Sequence, residues 1–309
     1  MGKECIKIYF MQKRTKEVFL LFFFFIFLSC KTIFDGVNVS LKEDIIPLSL
    51  SSEKNDNWVI LNNISIEGRK IRGLIDTGSN LTMIDSTFFK EIIPMKYINF
   101  YDFNNNKSKR EVVKIKKLKI GKNIVIKNIN AVKINLKKYK EKVNIIIGNN
   151  ILKKMVWFID FKTSEVRVGK TVKDFKSINE YKKIKFNFSS NLIKLDVKHN
   201  QYYKKIIFDT GSKSQINLPI RDTIYFNKSM LLKTNSYNNY SGNKYKILKI
   251  ELREIDLANN VKFNDVLATF GVGFSRILGV DLLQESKIII DYMNNNLYIF
   301  QYQNSVQGK

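Results

Sequence analysis

Ile75-Asp-Thr-Gly-Ser79 and Phe208-Asp-Thr-Gly-Ser212 are two copies of one short phrase set 133 residues apart, and the fold is decided by reading them together. Aligned on Asp76 and Asp209, the stretch Val59–Ile75 matches Leu192–Phe208 without a gap. Both read as strand, tight turn, strand: alternating apolar residues, a polar pair, then an apolar run into the aspartate. Downstream, Ile145-Ile-Ile-Gly148 and Ile277-Leu-Gly279 place a glycine 72 and 70 residues beyond the motif aspartates. Twelve residues past each glycine stands another aspartate, Asp160 or Asp291. Turn signals follow, Lys162-Thr-Ser-Glu165 in one half and Asn294-Asn-Asn296 in the other. Four landmarks in the same order at nearly constant spacing make an internal duplication.

The stretches between the landmarks are strand-like. Val112–Asn135 and Tyr245–Thr269 each have room for two or three strands, with Lys107–Arg110 and Thr234–Lys244 as hairpin tips. Gly169–Lys182 is polar and reads as a linker between the halves. Residues 31–42 read as a tether, 43–175 as a first lobe and 176–305 as a second.

The two aspartate phrases and the two apolar-apolar-glycine phrases resemble the pepsin and retropepsin superfamily of aspartic peptidases, in particular its bacterial envelope members. The resemblance spans roughly residues 43–303. It implies an all-β fold of two homologous retropepsin-like barrel lobes with an active-site cleft between them. Each lobe would supply one catalytic carboxylate, Asp76 and Asp209. It casts Thr77 and Thr210 as the residues that reach across to the opposite loop, and Gly148 and Gly279 as the glycines packed behind the loops. The near-equal halves are closer to a fused retropepsin dimer than to pepsin, so each lobe can supply a flap. Tyr101, Tyr237 and Tyr240 are candidates for a flap tyrosine.

The chemistry needs these residue types. Two carboxylates about 3 Å apart cannot both ionise, so they share a proton and titrate as a pair. The ionised member activates a water and the protonated one donates to the scissile carbonyl oxygen. Gly78 and Gly211 permit the tight turn and the close approach of the carboxylates. Ser79 and Ser212 are expected to hydrogen-bond the outer carboxylate oxygens and favour ionisation. No metal and no cofactor is required. The expected partner is a peptide or protein in extended conformation, and one chain suffices for the whole pair, so a monomer is expected. The alternative is a catalytically inactive lipoprotein using the same fold to bind peptides.

Composition narrows the field. The formal net charge is +25, but only 8 of the 53 basic residues are arginine. Lysine lacks the bidentate fork suited to phosphate, and here it is scattered through strand-like segments such as Lys114–Ile120. These lysines read as solvated faces and edge protection, not as a nucleic-acid surface. Cys5 and Cys30 are the two cysteines and His199 the one histidine. A cysteine-based zinc site within the folded body is therefore excluded, and so is a histidine cluster. Aligned with Ile66, His199 reads as a surface turn residue.

The N-terminus reads as an address. Lys13, Arg14 and Lys16 precede the apolar run Val18–Leu28, which is short for a bilayer span. Phe27-Leu-Ser-Cys30 resembles a bacterial lipobox, although Phe27 is bulkier than the usual leucine there. The resemblance implies that residues 1–30 are a signal peptide and lipobox and that Cys30 is lipidated. The protein is then expected in the cell envelope, anchored to the membrane and facing the periplasm or exterior. An ordinary signal peptide or an uncleaved signal anchor is the other reading, and Met11 can serve as the start.

Overall fold

The computed structural model describes residues 36–43, 45–48, 58–101, 106–136, 143–175, 178–226, 231–238, 244–271 and 273–302. The apolar N-terminal run, Cys30 and Tyr240 lie outside the described residues. In chain order the strands are β1 (Asn38–Leu41), β2 (Ile45–Leu48), β3 (Ile60–Ile66), β4 (Arg69–Ile75), β5 (Met83–Asp85), β6 (Pro94–Tyr101), β7 (Lys107–Ile120), β8 (Ile124–Ile134), β9 (Ile145–Ile147), β10 (Val156–Asp160) and β11 (Glu165–Gly169). The second half contributes β12 (Lys182–Lys185), β13 (Asn187–Ser189), β14 (Leu192–His199), β15 (Tyr202–Asp209), β16 (Ile216–Leu218), β17 (Leu231–Asn238), β18 (Lys244–Leu257), β19 (Val261–Phe270), β20 (Ile277–Gly279), β21 (Ser286–Asp291) and β22 (Asn296–Gln301).

The duplication read in the sequence is a duplication of topology. In the first lobe β3, β4, β9, β5, β8 and β7 close into a six-stranded ring. In the second, β14, β15, β20, β16, β19 and β18 close in the same way. The expected all-β architecture of two acid-protease-like barrels is thus the observed one. The hairpins before the two motifs turn on two residues each. Glu67 and Gly68 take φ of 49° and 86°, and Asn200 takes 50°, the left-handed values that match such a turn to strand twist.

A third sheet joins the lobes in the order β12-β22-β21-β10-β11-β2. Its centre is the antiparallel pair β10 and β21, in register from Val156↔Asp291 to Asp160↔Lys287. Every residue of β10 is buried, so the strand reads as a continuous apolar run and not an alternating one. Trp157, Ile159, Ile288 and Ile290 face the main core. Val156, Phe158 and Ile289 face a smaller cluster with Phe175, flanked by Val172, Ile178 and Tyr181. Those last four come from the linker, which therefore roofs the joining sheet despite its polar composition. Asp160 and Asp291 cap the two turns of this sheet: Asp160 accepts from the Lys162 and Thr163 N–H groups, and Asp291 from that of Asn294.

Four local expectations are corrected. Lys107–Arg110 is not a hairpin tip but the first part of β7, paired with Ile98–Tyr101. The tip expected over Thr234–Lys244 is shorter than read: Thr234–Asn238 lies within β17, paired with Lys244–Leu248 of β18, and the connection between the strands falls inside the expected range. Runs of charge and amide suit an exposed hairpin arm as well as a tip, so composition alone did not separate them. Residues 38–41, read as tether, form β1 against β8. His199 is not a free turn residue: its Nδ1 lies 2.6 Å from the Glu254 carbonyl and its ring stacks on Phe226.

Candidate active site

Asp76 leaves the end of β4, and Asp209 ends β15. Behind each runs a parallel neighbour carrying the apolar-apolar-glycine phrase, Ile75↔Ile147 in one lobe and Asp209↔Gly279 in the other. Gly148 and Gly279 lie directly against the loops. A Cβ on Gly148 would stand 2.9 Å from the Ser79 carbonyl oxygen, and one on Gly279 would stand 2.5 Å from that of Ser212. That contact is why each half needs its glycine. The N–H of the next residue then holds each loop down, Asn149 to the Ser79 carbonyl at 2.9 Å and Val280 to that of Ser212 at 3.0 Å.

The two loops meet through their threonines, both fully buried. Thr77 N–H donates to Thr210 Oγ1 at 3.0 Å, and Thr210 N–H donates to Thr77 Oγ1 at 3.0 Å. Each hydroxyl then donates to the carbonyl before the opposite aspartate, Thr77 to Phe208 and Thr210 to Ile75, both at 2.8 Å. A hydroxyl that accepts one bond and donates another spends its whole useful capacity here. Within each loop the glycine N–H donates to its own motif aspartate, Gly78 to Asp76 Oδ1 and Gly211 to Asp209 Oδ1, both at 2.8 Å.

The carboxyl groups of Asp76 and Asp209 come close enough to share a hydrogen bond. A Cβ on Gly211 would stand 2.6 Å from Asp76 Cγ, and one on Gly78 would collide with the Asp209 carboxyl. Each loop glycine therefore clears space for the opposite carboxylate. Burial pushes Asp76 well above the usual carboxylate range, and the charge of Asp209 adds to it. Asp209 is likewise pushed up by burial. The pair can hold one proton and present one anion, the arrangement needed to activate water and protonate an oxygen in a single site.

The serines do not do what the spacing suggested. Ser79 Oγ donates to the Leu81 carbonyl at 2.7 Å, and Ser212 Oγ lies 3.0 Å from Ser214 Oγ. Both hydroxyls tie down the outgoing chain, because the loop turns away from the carboxyl immediately after the glycine. Sequence reasoning also missed two buried asparagines, Asn149 and Asn150. Asn150 Oδ1 accepts from both the N–H and the hydroxyl of Thr82 at 2.8 Å. The signal was present as a mismatch between the halves, Asn149-Asn150 against Val280-Asp281.

Two outcomes follow. Replacing Thr77 with Val keeps its shape but strands Thr210 N–H and the Phe208 carbonyl in a buried place, so unfolding in denaturant should show a loss of about 2–4 kcal/mol. Thr77→Ser should lose far less. Because burial makes the folded carboxyls hold their protons more tightly than unfolded ones, their ionisation weakens the fold as pH rises above the ordinary carboxylate range. Asp76→Asn should therefore raise the melting temperature near pH 7 by about 2–4 °C and change it little near pH 3. A lower melting temperature at pH 7 would contradict the crowded-anion account.

Residues 63–151, which carry the first motif and its backing glycine, match the family model described as aspartyl protease. No curated protein matches the chain. The matched region ends within the first lobe, and the second lobe repeats its ring, its crossing threonine and its glycine pair. Residues 63–151 are thus an aspartyl-protease domain, and with a second barrel that repeats its topology the chain is consistent with two retropepsin-like lobes.

Proposed function

We propose that the protein is an aspartic endopeptidase whose two carboxylates, Asp76 and Asp209, come one from each lobe of a single chain. The observation that carries this reading is the reciprocal threonine crossing, which brings both carboxyls to within hydrogen-bonding reach of each other. The ionised carboxylate takes a proton from a water as it attacks the scissile carbonyl. The protonated partner donates to the carbonyl oxygen, and the tetrahedral adduct collapses with proton transfer to the leaving amine. An extended peptide suits the site, since the long hairpins β6–β7 and β17–β18 stand at equivalent places in the two lobes and β6 and β17 are sheet edges. Tyr101, at the end of β6, is exposed and available to such a ligand.

The pair works with one proton, so activity requires a pH above the first proton loss and below the second. Since burial pushes both carboxyls up, that window lies higher than two ordinary carboxylates would give. Peptide-library cleavage should show a bell-shaped pH profile and inhibition by pepstatin. Asp76→Asn and Asp209→Asn should each cut kcat by about 10³-fold or more while the protein stays folded. Full activity in either variant would remove the pair from the mechanism. A folded wild type that binds peptides without cutting them would favour the binding-module reading.

The membrane address belongs to the same proposal and rests on the sequence of residues 13–30. A lipid on Cys30 would stand eight residues ahead of β1 and hold the catalytic body close to the envelope surface. Metabolic labelling with a fatty acid should mark the wild type and leave Cys30→Ser unmarked. Equal labelling of both would remove the lipid anchor.

A further inference from the structure

Behind the two loops the halves are not equivalent. Asn149, the residue after the first backing glycine, is fully buried. Its Nδ2 donates to the Thr77 carbonyl at 2.7 Å and to the Asn191 carbonyl at 2.8 Å. Its Oδ1 accepts from Tyr292 Oη at 2.6 Å. Two carbonyl acceptors on one side and a phenol donor on the other leave a single orientation for the amide. Asn149 belongs to the first lobe. Asn191, in the turn between β13 and β14, and Tyr292, just past β21, belong to the second. The amide is thus a cross-lobe tie ending on the peptide that carries the first motif.

The duplication lacks the same tie on the other side. Val280 follows the second backing glycine, and Phe161 follows Asp160 where Tyr292 follows Asp291. Neither side chain has a polar atom. The one-sidedness bears on the carboxyls because the Thr77 carbonyl and the Gly78 N–H are the two ends of one peptide unit. That N–H donates to Asp76 Oδ1 at 2.8 Å. A hydrogen bond into the carbonyl polarises the amide and strengthens its N–H as a donor. A stronger donor favours the anion it faces over the neutral acid.

We propose that Asn149 and Tyr292 are positioning residues of the site: through the Thr77–Gly78 peptide they seat the second lobe against the first loop and stabilise the singly ionised carboxyl pair. They work against the upward push of burial through one donor alone, the Gly78 N–H, which binds Asp76 Oδ1 and also reaches Asp209. Tyr292 carries a matching mark, since burial and the nearby charge of Asp76 hold its phenol in the protonated form that donates to Asn149. Among the described residues, the titratable groups around the tie are Asp76, Asp209, Tyr292 and Lys153. Lys153 reaches the Asn191 side chain at 3.4 Å, and Lys213 lies over the Trp58 ring. The catalytic consequence rests on the proposed peptidase reading, but the titration does not.

The test compares the full chain with Asn149→Val, which copies the second half, with Tyr292→Phe, which removes one hydroxyl, and with the double variant. Carbon-13 carboxyl NMR follows the titration of Asp76 and Asp209 whether or not the protein cleaves anything. The first proton loss of the pair should move up by about half a unit in Asn149→Val and less in Tyr292→Phe. The double variant should match Asn149→Val, since the phenol acts through the amide. With a cleavable peptide, kcat should fall about threefold at the acidic end with KM little changed, and the acid limb of the pH profile should shift with the titration. An unmoved titration in the variants overturns the proposal even if cleavage continues. So does a Tyr292→Phe effect that persists undiminished when Asn149 is already Val. If Asn149→Val does not fold, Tyr292→Phe decides alone. A wild type that cleaves nothing while the titration still shifts would sink the peptidase reading and leave this one standing.

Discussion

The crossing of Thr77 and Thr210 is the interaction on which the rest depends. Four hydrogen bonds run between two loops that begin on different lobes, and every partner is a backbone group or a buried hydroxyl. Each such bond contributes only about 1 kcal/mol net, yet losing one partner strands the others away from water. The crossing therefore acts less as glue than as a constraint. It admits one relative placement of the loops, and that placement forces Asp76 and Asp209 together against their mutual repulsion.

Such a placement needs support at longer range. The barrels hold the loops from behind through their parallel β4–β9 and β15–β20 pairs. The joining sheet holds the barrels through β10 and β21, with one face on the main core and the other under the linker. Burying about twenty apolar side chains of this kind supplies tens of kcal/mol before chain entropy is counted. Against that, holding two crowded carboxyls in a part-buried site is a tolerable local cost. The geometry is symmetric to first order because the chain is a duplication. It is asymmetric in detail because Asn149 and Tyr292 stand where the other half has Val280 and Phe161.

Much of this was legible in the chain. The doubled motif, the glycines at 148 and 279 and the aspartates at 160 and 291 are local features, and their constant spacing carries the repeat. The carboxyl pair and its crossing threonines followed from resemblance together with the chemistry two carboxylates require. What was misread was either ambiguous locally or not local at all. The tip at 107–110 was misplaced and the one at 234–244 drawn too long, because lysine and asparagine suit an exposed strand as well as a turn. Ser79 and Ser212 were aimed at the carboxyls because sequence distance says nothing about where a hydroxyl points after a turn.

The sequence by itself determined the all-β class, the duplication, and which residues stand at the ends of β4 and β15. Those properties reside in side-chain period and in spacing, which a chain carries with it before it folds. Only the tertiary structure decided how the lobes join, that the polar linker covers the joining sheet, and that Asn149 links Tyr292 to the Thr77 peptide. Each of those depends on residues far apart in the chain meeting in one relative placement. No local pattern records such a meeting, because buried polar partners are chosen by what is left unsatisfied once the apolar surfaces have packed.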